Sequence, residues 1–103
     1  MDPRYTLLAQ NLVSHSTNLQ PGEKVLLHAF DIPDKMTLSL IRAVRARKAI
    51  PFVQVQSAIL DRECILNGAG EQFEASSHWE LERMKKMDAY IALRGSSNVF
   101  ENS

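Results

Sequence analysis

Lys24-Val25-Leu26-Leu27-His28-Ala29-Phe30 is the stretch on which the fold turns. After Lys24 a single polar residue, His28, interrupts an apolar run, and turn-forming residues bound it on both sides. Upstream, Gln20-Pro21-Gly22-Glu23 reads as a turn in which Pro presets φ and Gly permits the positive φ of a type II geometry. Downstream, Asp31-Ile32-Pro33-Asp34 opens a helix, because acidic residues and a proline suit the unpaired amides and positive dipole of a first turn. A short apolar run bounded in this way is expected to be a strand covered on both faces, as in a parallel sheet.

The flanking segments carry helical periodicity. Between Arg4 and Thr17, residues Tyr5, Leu8, Ala9, Leu12 and Val13 fall on one stripe, with Asp2-Pro3 as a start signal. The helix after the first strand runs to about Lys48, with Met36, Leu40, Ala43 and Val44 inward and Arg42, Arg45 and Lys48 outward. Pro51 to Gln56 alternates Val53 and Val55 with Gln54 and Gln56, the period of a half-exposed strand. Ser57 is placed to cap a short helix through Leu66, which Asn67-Gly68 would end in a left-handed turn. A polar helix over Glu71 to Met87 follows, with Phe73, Leu81 and Met84 spaced to face a core, and Ala89 to Leu93 is a third strand.

The order α-β-α-β-α-α-β implies right-handed crossovers and an α/β fold: an open three-stranded, parallel, Rossmann-like sheet with flanking helices. The alternating second strand belongs at an edge and the apolar first strand in the middle, which predicts the order 2-1-3. The expected core is Val25, Leu26, Leu27, Val53, Val55, Tyr90, Ile91 and Leu93 with Leu8, Leu12, Leu40 and Val44. That order reverses direction between strands one and three and opens a crevice at their carboxyl ends. Its walls would be Phe30 to Asp34 and Arg94 to Asn98. Asp31 and Arg94 should approach each other there, and Asp31, Arg94, Gly95 and Ser96 are the candidate site residues.

Composition narrows the function. The 103 residues suit one domain, 1–103, with 45% hydrophobic and 23% charged residues, near the globular average. Twelve basic residues balance twelve acidic ones, so no nucleic-acid footprint is expected, and Arg42 to Lys48 reads as a solvated helix face. No apolar run approaches a membrane span and the start lacks a secretory pattern, which points to a cytoplasmic protein. The single Cys64, beside Ile65 and Leu66, reads as a small buried hydrophobe. His28 reads as a hydrogen-bonded strand histidine, and His78 as an ion-pair partner of Glu82. No trio of residues has metal-ligand spacing. Gly68-Ala69-Gly70 follows a helix where a dinucleotide fingerprint follows a strand. Catalytic, cofactor-binding and metal residues are therefore expected to be absent from this chain. The polar loop after the last strand suggests a cut through a larger protein.

Three blocks carry a resemblance: Met1-Asp2-Pro3-Arg4, Asn18-Leu19-Gln20-Pro21-Gly22-Glu23-Lys24-Val25-Leu26, and Met87-Asp88-Ala89-Tyr90-Ile91-Ala92-Leu93-Arg94-Gly95 followed by Asn98 and Phe100-Glu101. In order and separation they resemble the aminopeptidase T family, the thermophilic-type leucyl aminopeptidases, and the likeness spans essentially all 103 residues. The resemblance implies the amino-terminal structural domain of a metal-dependent aminopeptidase, with peptide as substrate. It also implies a two-metal site of divalent ions in a downstream catalytic domain, the missing partner of this piece, and a possible homo-oligomer. None of those metal ligands maps onto this chain, which alone should be inactive. One departure is Arg47-Lys48-Ala49-Ile50-Pro51, where family members usually have a glycine-containing turn. Set against this reading is a stand-alone module that binds a small ligand or serves assembly without catalysis.

Overall fold

A computed structural model describes residues 3–68 and 70–95. The elements are α1 (Pro3–Asn11), a π-helical turn (Leu12–Ser16), β1 (Lys24–Phe30), α2 (Asp34–Ala46), β2 (Ile50–Gln56), α3 (Ala58–Asn67), α4 (Gly70–Lys85) and β3 (Ala89–Arg94). The three strands form one parallel sheet in the order β2-β1-β3. The fold is α/β, with the order expected from the edge character of the second strand.

Register assigns the faces. Leu27 lies beside Val53 and Ile91, and His28 beside Gln54 and Ala92. Odd-numbered residues of all three strands therefore share one face and even-numbered residues the other. On the odd face Val25 and Leu27 are buried against Ala9, Val13, Met36, Leu40, Ala43 and Val44. Leu19 and Ala49 close the amino-terminal end of this core. Met36, Leu40, Ala43 and Val44 turn inward along α2, as its periodicity predicts.

Four residues expected in the core are exposed: Leu8, Val53, Val55 and Tyr90. The two valines do lie on the odd face, but the strand members of the core cluster come from β1 and β3, and no β2 residue enters it. Val55 is left 68% exposed. Tyr90 lies on the even face, where α3 and α4 give little cover. Among the described residues neither helix contributes a buried side chain, and Phe73, Leu81 and Met84 are exposed. The periodic apolar residues of α4 thus face solvent, which corrects the expectation that they face a core.

The connections follow local chemistry. Gly22 takes φ 84° and Glu23 N–H donates to Gln20 O at 3.1 Å, as a type II turn requires. α1 continues to Ser16 but widens, and Thr17 N–H reaches back five residues to Leu12 O at 3.1 Å. The glycine-free end of α2 places Lys48 at φ 62°. Lys48 N–H donates to Arg45 O at 2.9 Å and Ala49 N–H to Val44 O at 3.2 Å, the bond pair of a Schellman motif. Ser57 caps α3 by accepting from Leu60 N–H at 3.4 Å. At the other end Gly68 has φ −90°, so α3 leaves its last turn extended, against the left-handed expectation.

Candidate functional site

The carboxyl ends of β1 and β3 meet as the order requires, and the backbone fills the space between them. Gly95 N–H donates to Phe30 O at 2.7 Å, and a Cβ on Gly95 would stand 1.9 Å from Asp31 O. Glycine is required there because the two loops touch through their main chains. Asp31 takes φ 53°, its N–H donates to Gln56 O at 3.1 Å, and its carboxylate accepts from Ala58 N–H at 3.1 and 3.4 Å. The carboxylate therefore stabilises the positive end of α3, on the β2 side. Arg94 lies 4.2 Å from the Phe30 ring centroid, in a cation–π contact. Asp31 and Arg94 form no ion pair, and each side chain is occupied by a different neighbour. Of the four candidate residues, Asp31 and Gly95 come together through backbone, Arg94 turns to the even face, and Ser96 lies outside the described residues.

A polar cluster that sequence reasoning missed lies on that even face. His28 Nδ1 is 2.6 Å from Tyr90 Oη, and His28 Nε2 pairs with Gln56 Oε1. Gln56 Oε1 also accepts from Gln54 Nε2 at 3.2 Å, and Gln56 Nε2 donates to Asp61 Oδ2 at 2.7 Å. Gln54 Oε1 accepts from Arg83 Nη1 at 3.2 Å. The donors run one way, from the Arg83 guanidinium through two amides to the Asp61 carboxylate. Because Gln56 offers His28 an oxygen, Nε2–H is the donor of that pair. No buried side-chain polar atom among the described residues lacks a partner. The hydrogen bonds orient the members of the cluster relative to one another. The signal was present as Gln54 and Gln56 two apart, but it becomes legible only once register sets them beside His28.

The remaining reactive side chains are scattered. Cys64 is exposed, contrary to the buried reading, because α3 presents it to a groove of about 440 Å³ shared with Phe73 and Ser76 of α4. Glu82 accepts from Lys85 Nζ at 3.3 Å, the ion pair expected for His78. A second groove of about 500 Å³ between α1 and α2 includes Ser14, His15 and Arg47, and Arg47 Nε donates to Leu19 O at 3.0 Å. Among the described residues no three His, Cys, Asp or Glu side chains gather as metal donors. No helix among them is long and apolar enough to cross a membrane. Compared with known families and curated proteins, the sequence matches no family model and no individual protein.

Proposed function

We propose that the chain is the amino-terminal scaffold of a metal-dependent aminopeptidase of the aminopeptidase T type, supporting a catalytic domain that holds the two metal ions. The reading rests on the sequence blocks, and one observation carries it. The block around the Pro21-Gly22 turn and the block around Asp88 are adjoining parts of a single joint. Lys24 N–H donates to Asp88 Oδ2 at 2.8 Å, and Asp88 N–H donates to Lys24 O at 2.7 Å. Two residues of those blocks, Lys24 and Asp88, therefore tie β1 to the start of β3, which is what a scaffold role asks of them. Direct main-chain contact between Gly95 and Asp31 counts against the alternative of a small-ligand module using that crevice. The assembly alternative is favoured by a different observation, the apolar surface that α3 and α4 expose.

The test is to express the whole open reading frame at this locus and residues 1–103 alone. Each product is assayed on a leucyl chromogenic amide with added divalent metal, before and after chelation. Chelator-sensitive turnover is expected from the long product and none from 1–103. A frame that stops at Ser103, or an inert long product, overturns the proposal.

A further inference from the structure

The groove of about 500 Å³ between α1 and α2 has one-sided chemistry. On α2 the short side chains of Ala43 and Ala46 leave depth between the helices. Along α1 and the turn that continues it, Thr6, Gln10 and Ser14 stand at i, i+4 and i+8, a polar stripe of two hydroxyls and an amide. The π-helical turn adds His15 to this wall. Consecutive side chains diverge less in the wider turn, so Ser14 and His15 both border the groove while Val13 stays buried. Turns of this kind are frequent at functional sites. The α2 side supplies two guanidiniums, Arg42 and, at the C-cap, Arg47. Arg47 Nε donates to Leu19 O at 3.0 Å and Nη2 to Asn18 Oδ1 at 3.4 Å, bonds that hold its planar fork beside the groove. Among the described residues no carboxylate lines it. In a chain of zero net charge, that is a local cationic excess. Helix-end carbonyls nearby do not compete for it, because Leu12 O already accepts from Thr17 N–H and Arg45 O from Lys48 N–H.

We propose that this groove binds a phosphoryl group, free or carried by a small molecule, between the guanidiniums of Arg42 and Arg47 and the wall of Ser14 and His15. A guanidinium meets a phosphate with two parallel N–H donors. The Ser14 hydroxyl and a ring N–H of His15 suit the remaining phosphate oxygens, which a carboxylate would not supply. Small-molecule sites span about 300–1,000 Å³, so the groove has room for the group that bears the phosphate as well. The proposal does not depend on the aminopeptidase reading, which assigns this groove nothing.

Heteronuclear NMR titration of the full chain at constant ionic strength reads the site directly. Inorganic phosphate and phenyl phosphate are expected to shift the Ser14 and His15 amides and the Arg47 Nε–H, with a Kd in the millimolar range. Acetate is expected to shift none of them. Tighter binding of phenyl phosphate identifies an ester as the occupant and tighter binding of inorganic phosphate the free ion, and either supports the site. Arg42→Gln is expected to weaken binding about tenfold, the worth of one charge-assisted hydrogen bond. Arg62→Gln removes the same charge from α3 and is expected to change nothing. Should Arg42→Gln misfold, Ser14→Glu places a carboxylate in the wall and is expected to abolish the shifts. The proposal is overturned by the absence of phosphate-induced shifts at these positions, or by equal shifts with acetate. Equal losses in Arg42→Gln and Arg62→Gln, or a folded Ser14→Glu that binds as the parent does, overturn it too.

Discussion

At the scale of single residues, Lys48 and Gly95 show backbone geometry overriding or dictating side-chain choice. Lys48 holds a left-handed conformation, which disfavours side chains by roughly 1–2 kcal/mol, because two carbonyls at the end of α2 need donors. Replacing it with glycine keeps both bonds and removes the strain. Lys48→Gly is expected to raise stability by about 1 kcal/mol in urea unfolding, and a loss of stability would show that the lysine side chain is structurally needed. Gly95 is the opposite case, since a methyl group there would collide with Asp31 O. Gly95→Ala is expected to cost about 1–3 kcal/mol, the range of an overpacked site. Unchanged denaturation midpoints would mean that the two loops part without penalty. The Gly95 requirement could not be read from its neighbours in sequence, because the atom it must avoid is contributed by a loop 64 residues earlier.

Among the elements, stability divides between the buried sheet centre and the peripheral helix pair. Leu27 is fully buried on β1 while Val55 on β2 is 68% exposed, although both read as core residues in sequence. Leu27→Ala should cost about 2–5 kcal/mol and Val55→Ala less than about 0.5 kcal/mol. Equal losses would show that the odd face of β2 is covered in solution. α3 and α4 bury no side chain among the described residues, so their helices rest on backbone bonds and a few polar anchors. Among those anchors are Asp61 on Gln56, Arg83 on Gln54 and the Asp31 carboxylate on Ala58 N–H. Hydrogen exchange is expected to run orders of magnitude faster across α3 and α4 than across β1 and α2, as in a low-stability cooperative unit. Matching protection in both regions would show that the helix pair opens only with the whole domain.

At the scale of the whole molecule, the described residues form a slab of 41 × 39 × 17 Å with a radius of gyration of 15.3 Å, against about 13 Å for a compact chain of about 100 residues. One face of the sheet carries a packed helical layer, and the other carries a polar cluster under helices that leave Ile65, Phe73 and Trp79 exposed. Among the described residues no three His, Cys, Asp or Glu side chains gather as metal donors. Residues 1–103 are accordingly expected to release no product from a leucyl amide with zinc, cobalt or manganese present. Reproducible turnover that a chelator abolishes would place an unrecognised metal centre in this chain.

The element order, the three parallel strands and the 2-1-3 arrangement were legible in the sequence. Each rests on short-range signals: apolar runs, turn residues, and one alternating strand. Even the inward face of α2 followed from spacing alone. What the tertiary structure decided is the direction each strand face looks and what covers it. Val53 and Val55 alternate correctly and lie on the helix-covered face, yet how far that cover reaches across β2 is a long-range outcome. Asp31 and Arg94 were rightly placed at neighbouring strand ends, but Asp31 is drawn to the amides of α3 and Arg94 to the Phe30 ring. Proximity along a sheet edge follows from topology, whereas the partner of a charged side chain follows from competition among all groups within its reach.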